Sequence, residues 1–189
     1  NRDVSAVQIG SRRFSRDVFD AMVQICQVVR IERPSIEQSS LAQPRTVKDV
    51  ALEFAMQHGG MVIFTPGCER SMSRSAYADL QAFGKALQAL VDGFYPMYAS
   101  RTKSRKDVID MLAQIPASYA GGMSDVTKGK FEQHYFRQYE GQRVDISRHI
   151  KLGRNHDQRY TLRLYFHWDV ERSKIVVHHA GEHLPTLNS

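Results

Sequence analysis

Cysteine is scarce: Cys26 and Cys68 are the only two in 189 residues. They are too few and too far apart for a zinc knuckle or a disulfide scaffold. Six prolines and 12 glycines exclude a collagen-like repeat, and 42% hydrophobic with 24% charged residues excludes disorder throughout and a coiled-coil rod. No apolar run approaches the ~20 residues of a membrane helix; Met61-Val62-Ile63-Phe64 is typical of what there is. Internal repeats and low-complexity tracts are missing, and no signal peptide is expected. The chain opens on Asn1 rather than Met, as expected of a processed chain or the tail of a longer product. Gly-x-Ser-x-Gly, His-Glu-x-x-His and paired Cys-x-x-Cys do not occur, and Lys128-Gly129-Lys130 is too short for a phosphate loop, which disfavours nucleotide hydrolysis. These absences leave no metal, no cofactor and no membrane among the expected partners. Nothing demands an oxidising compartment, so the cytoplasm is the default location.

What is present is positive charge, unevenly spread. The chain carries a net +6: residues 1–100 contribute +1 and residues 101–189 contribute +5. Between 128 and 163 nine bases (Lys128, Lys130, Arg137, Arg143, Arg148, Lys151, Arg154, Arg159, Arg163) face four acids. Such a stripe points to a polyanion, most often nucleic acid, with an ordinary solvated basic surface as the alternative. Of these, Lys128, Lys130, Arg148, Lys151 and Arg154 are the expected nucleic-acid contacts. Phe131, Tyr135, Phe136 and Tyr139 are interleaved with Lys128, Lys130 and Arg137, either as a stacking platform for single strands or as the buried face of a helix.

The organisation reads as α+β: helices first, an antiparallel sheet last. Residues 1–13 suggest a loose arm or a lone strand. Val18, Met22, Ile25 and Val29 predict a helix capped at Ser15 and stopped by Pro34, with Cys26 in its core and a linker at 34–45. Thr46 opens a helix with Val47, Val50, Ala51, Phe54 and Ala55, closed by Gly59-Gly60. Met61–Phe64 is a short buried strand or apolar linker. Pro66-Gly67 signals a turn, which leaves Cys68 exposed and open to a nucleophilic role. A long helix is expected from Ser73 through Leu90, and Ser104 with Asp107 forms a capping box for a fourth. Phe94, Tyr95, Met97 and Tyr98 could form an exposed patch for a protein partner. Pro116 divides the chain into a helical body at 1–116, of about four helices, and a strand-rich basic region at 117–189, packed as a single domain. Ser124-Asp125 caps a short helix bearing Phe131, Tyr135 and Tyr139; Glu140-Gly141 is a turn; and period-two writing follows at Val144–Ile146 and Ile150–Leu152.

Residues 161–169 and 174–180 alternate strictly and predict a hairpin. With the turn centred between Glu171 and Arg172, Trp168 opposes Ile175, Phe166 opposes Val177 and Leu164 opposes His179 on the core face. The other face gathers Arg163, Tyr165, His167 and His178, with Tyr165 opposite His178; a one-residue slip would scatter them. As an RNA-cleaving group, histidine suits proton transfer, arginine the charge developing on phosphorus, and tyrosine base stacking. The bland alternative is the outward side of an ordinary sheet. His178, His179 and His183 with Glu182 invite a metal reading, which strand geometry, Gly181 and Pro185 disfavour.

His149-Ile150-Lys151-Leu152-Gly153, Leu162–Asp169 and Lys174–Ala180 together resemble the C-terminal strands of the RelE/HigB class of bacterial toxins, over about 35 residues. Gly181-Glu182-His183-Leu184 also resembles a Gly-x-His-Leu ending of other bacterial proteins, which implies no particular activity. The toxin resemblance implies a metal-independent, ribosome-linked RNase, with Lys151 and Arg163 at phosphate-contacting positions and His178 a proton-transfer candidate. Those toxins are about half this length and lack the helical body. The expectation is therefore a nucleic-acid-acting protein, RNA before DNA, with His178, His167, Arg163 and Tyr165 as candidate catalytic residues. The alternative is a non-catalytic nucleic-acid-binding or assembly module of a larger complex.

Overall fold

A computed structural model describes residues 6–9, 12–15, 46–154 and 157–187. The chain forms two units, Asn1–Gln43 and Pro44–Ser189. In the first, β1 (Ala6–Ile9) and β2 (Arg12–Ser15) pair antiparallel, with Ile9 opposite Arg12. A two-strand ribbon thus replaces the expected arm or lone strand, and Ser15 ends a strand. The helix predicted beyond Ser15, Cys26 and the 34–45 linker lie outside the described residues.

The second unit opens with α1 (Val47–His58), whose first turn is closed by the Thr46 hydroxyl accepting from the Asp49 amide at 3.2 Å. Val47, Ala51 and Phe54 make its buried face. Then come β3 (Val62–Phe64) and α2 (Pro66–Arg74). Pro66-Gly67 begins a helix here instead of making a turn. Proline needs no amide partner at the first helical position, and Thr65 caps by accepting from the Cys68 amide. Cys68 is consequently buried. The single long helix expected from Ser73 is broken: residues 75–79 intervene before α3 (Leu80–Ala89), capped by Asp79. A π-helical turn, Leu90–Phe94, leads into α4 (Tyr95–Ala99). Gly93 lies where an added Cβ would stand 3.3 Å from the side chains of both Met111 and Val108, a tight contact that would require these neighbours to shift. α5 (Arg105–Leu112) carries the expected Ser104–Asp107 capping box. Five α-helices thus lie between Val47 and Leu112 among the described residues, where three of the four expected for 1–116 fall.

β4 (Ala117–Ala120), β7 (His149–Leu152), β8 (Leu162–Asp169) and β9 (Lys174–Gly181) join β3 in one sheet of order β3-β9-β8-β7-β4. The last four run antiparallel. β3 runs parallel to β9, so the expected purely antiparallel sheet is mixed and borrows an edge strand from the helical half. Between β4 and β7 lie α6 (Asp125–Lys130), α7 (Glu132–Tyr135) and a hairpin of β5 (Phe136–Tyr139) and β6 (Gln142–Asp145). The predicted helix through Tyr139 stops at Tyr135. Glu140 and Gly141 both take positive φ, the two-residue turn that matches hairpin twist.

One sheet face carries Ile150, Leu152, Leu162, Leu164, Phe166, Ile175, Val177 and Ala180 against Phe83, Leu87, Leu90, Phe94, Val108 and Leu112 of the helices. Phe94, placed by the sequence in an exposed patch, is fully buried and packs edge-on against Phe166; Tyr95 and Tyr98 lie against Trp168. The opposite face carries a second core of Tyr135, Ile146, Tyr165 and Leu184. The unit is therefore three-layered, helices–sheet–small α/β cover. No helix among the described residues is long and apolar enough to cross a membrane.

Candidate nucleic-acid interface

The β8–β9 register sets every side chain of the candidate site. Asp169↔Lys174, Trp168↔Ile175, His167↔Val176 and Phe166↔Val177 pair as the turn position predicts. Beyond them the register shifts by one residue: Tyr165 pairs with His179, Leu164 with Ala180 and Arg163 with Gly181. His178 is the extra residue of this bulge. A bulge sets two consecutive side chains on nearly the same side, so His178 and His179 both leave the core face. His179, expected opposite Leu164 in the core, stands opposite Tyr165 instead.

The outer face therefore does gather the expected group, but under cover. His178 Nε2 and His167 Nδ1 are 2.8 Å apart, and the Tyr139 ring stands edge-on to both. Tyr165 is fully buried; its hydroxyl accepts from the Leu184 amide at 3.2 Å, and His149 stacks on its ring. A phenol so enclosed cannot stack a nucleic-acid base, which corrects the expectation for Tyr165. His167 is 8% exposed and His178 6%. Burial, with the positive charge of Arg137 contributing, drives His178 down to about 3, and burial lowers His167 as well. Both imidazoles are neutral at pH 7, so neither holds the spare proton that a general acid needs. Arg163 is half-buried, with Nη1 donating to the Leu152 and Leu162 carbonyls at 2.9 and 3.1 Å. Its Nε and the Nε2 of His149 have no hydrogen-bond partner among the described residues.

The five expected nucleic-acid contacts divide. Lys151 stands across from Arg163 on β7 and β8. Arg154 and Arg148 are exposed, and Lys130 is exposed with its ammonium over the Phe131 ring. Lys128 departs from expectation: it is clamped between Asp125 and Asp145, 3.1 Å from each, joining α6 to β6 with its charge neutralised. Of the aromatics, Tyr135 is buried, while Phe136 and Tyr139 are half-exposed on β5. No three His, Cys, Asp or Glu side chains among the described residues are grouped to hold a metal. His179 Nε2 and His183 Nδ1 bond the carbonyls of Glu182 and Leu184.

A further accessible positive surface lies along β5 and α2. A depression of about 520 Å³ is lined by Lys130, Glu132, Phe136, Arg137 and Arg143. Arg137 and Gln138 also wall a second, of about 590 Å³, with Thr65, Gly67, Arg70, Tyr139, Arg172 and His178. Gly67 and Arg70 in turn wall a third, of about 340 Å³, with Ser71, Arg74, His179 and Glu182. The shared walls make one trough. Arg143 pairs with Glu132 and lies 4.1 Å from the Phe136 ring; Arg172 pairs with Glu140 and Asp169. Among the described residues Arg137 bonds the Gln133 and Phe136 carbonyls. Arg70, Arg74 and Lys130 have no ion-pair partner among the described residues.

Of the four expected catalytic residues, His178 alone lines this trough. Arg70 and Arg74 are the site residues that sequence reasoning missed. Their four-residue spacing is the signal, legible only once 66–74 is recognised as a helix. Comparison with known proteins returns no match to any family model, any curated protein or any solved structure.

Proposed function

We propose that this protein binds nucleic acid, single-stranded RNA before DNA, along the trough between β5 and α2. The observation that carries the reading is the run of four cations without carboxylate partners among the described residues, Lys130, Arg137, Arg70 and Arg74, lining three depressions with shared walls. Phe136 and Tyr139 stand in the same walls. A cationic groove with rings along it suits a single strand, whose phosphates follow the charge and whose bases find faces to stack on. Unpaired loops and ends are the form in which RNA is most often recognised.

Equilibrium binding of labelled RNA and DNA strands across a salt series tests this. Affinity should fall steeply with salt. Arg70→Ala and Arg74→Ala each take one cation away from the phosphates, so each should reduce the log–log slope by about 0.7. Salt-independent association, or affinity indifferent to both substitutions, overturns the reading.

A second reading, metal-independent cleavage, is favoured by the presence of His178 beside Arg137 in the trough. It also accords with the resemblance to the RelE/HigB toxins. The 2′-oxygen would attack phosphorus as its proton passes to the free ring nitrogen of His178. The bond to the 5′-oxygen would break, a cyclic phosphate would form, and water would protonate the leaving oxygen. Cleavage that persists in EDTA and disappears in His178→Ala supports this; binding without turnover leaves the non-catalytic module.

A further inference from the structure

We propose that the central depression of the trough is a receptor for a phosphate monoester, the doubly charged group carried by a strand terminus or by a mononucleotide. The inference rests on the nucleic-acid reading, whose trough it occupies, and names what the middle of that trough recognises.

The first wall is the start of α2. Pro66 has no amide hydrogen, the Thr65 hydroxyl takes the Cys68 amide at 3.2 Å, and the Thr65 carbonyl takes the Glu69 amide at 3.0 Å. The Gly67 amide is left without a partner among the described residues. A Cβ on Gly67 would lie 3.8 Å from Arg70 Nη2, 3.7 Å from Thr65 Oγ1 and 3.6 Å from the His178 carbonyl oxygen. Arg70 therefore folds back over the first turn of its own helix, where helix geometry already favours an anion. Glu69 does not line this depression; Glu140 does, paired there with Arg172.

The facing wall comes from β5 and β9. Arg137 and His178 line this depression together. His178 is 6% exposed and has Nε2 engaged by His167, so its other ring nitrogen is the one available to the depression. Charge then selects the ligand. Arg172 is answered by Asp169 and Glu140, leaving Arg70 and Arg137 as two cations without an ion-pair partner among the described residues. Two guanidinium forks plus a helix N-terminus, equivalent to roughly half a charge, match the about −1.5 to −2 of a monoester better than the about −1 of an internal diester.

The test uses the full chain and one RNA sequence synthesised with a 5′-phosphate, a 3′-phosphate or hydroxyl ends. A nucleoside monophosphate and inorganic phosphate are titrated separately. One phosphorylated strand should bind about tenfold tighter than the hydroxyl strand, and Arg70→Ala or Arg137→Gln should cut that advantage to about twofold or less. Arg70→Lys, which keeps the charge and loses the fork, should restore part of it. Equal affinity for all three strands overturns the monoester receptor while the nucleic-acid reading stands. Saturable binding of the mononucleotide with no strand binding upholds the receptor, identifies its ligand as a free nucleotide and overturns the strand reading. Failure of every ligand overturns both.

Discussion

His178 and His167 share a hydrogen bond of 2.8 Å across β9 and β8, and a one-residue bulge is what brings them together. The pair is nearly enclosed, yet His178 keeps one side on the cationic trough. A neutral imidazole pair held this way is a hydrogen-bonding wall at neutral pH, and its cost appears in acid.

His178 and His149 are both driven down to about 3 by burial, against the ordinary value of about 6.5. Below about pH 6.5 the unfolded chain takes up protons at these two positions while the folded chain does not. Their contribution to stability is thus intact above about pH 6.5 and lost as pH falls toward about 3, by up to about 1.4 kcal/mol per pH unit for each. Urea unfolding midpoints measured down this range should fall accordingly. His149→Phe keeps the ring that stacks 4.4 Å from Tyr165 and gives up the Nδ1 bond to the Ser147 carbonyl. It should flatten the dependence by one proton. A midpoint constant from pH 7 to about pH 4 would show that neither imidazole is held neutral.

Lys128 separates a structural lysine from a contacting one. Held by Asp125 and Asp145 at 3.1 Å, it should cost about 0.5–1 kcal/mol of stability when changed to Ala, with RNA affinity at moderate salt nearly unchanged. Arg74→Ala, at an exposed position without an ion-pair partner among the described residues, should do the reverse. Chemical unfolding and strand binding measured on the same two variants decide it. Weakened binding in Lys128→Ala with unchanged stability would return that lysine to the interface.

The hairpin was legible because strict alternation fixes faces and a short turn fixes register. Four of its pairs, Asp169↔Lys174 to Phe166↔Val177, follow from the turn position alone. The bulge was not legible, because His178 carries no glycine or turn signal and only the packed sheet reveals the extra residue. Alternation also does not say what covers a face. Tyr165 and His167 occupy outward positions of β8, but Tyr135, Ile146 and Leu184 close over Tyr165 from another layer. Arg70 and Arg74 escaped because Pro66-Gly67 is ambiguous between a turn and a helix start, and Thr65 resolves it only by capping. Charge density singled out the segment that carries Arg137 and Arg143, without showing which cations are neutralised.

Gly153 is a position where the backbone itself forbids substitution. It sits at φ +72° just past β7, and an added Cβ would fall 1.8 Å from the Tyr160 carbonyl oxygen. Its amide also donates to the Pro116 carbonyl at 2.8 Å, tying the β7 end to the entry of β4. Gly153→Ala should destabilise by at least about 2 kcal/mol, since the left-handed conformation and the clash add. The expected readout is a lowered urea midpoint with little change in slope. A midpoint within error of the parent would mean that the loop at Tyr160 yields freely.

Cys68 offers a reading of the core from a buried thiol. It lies on the inner side of α2 with no exposed surface, and burial, reinforced by Glu69, pushes the thiol well above its ordinary range. The thiolate that attacks a disulfide reagent is therefore almost absent in the folded chain. In a Cys26→Ser background, which leaves one thiol to follow, an aromatic disulfide reagent should find Cys68 silent under native conditions and stoichiometrically reactive in denaturant. Between those limits, labelling should track unfolding. α2 packs on β9, with Ser71 Oγ accepting from the Ala180 amide at 2.9 Å, so exposing Cys68 means lifting the helix that carries Arg70 and Arg74. If labelling in dilute denaturant instead runs well ahead of global unfolding, α2 detaches by itself, and the trough is a wall that opens rather than a fixed one.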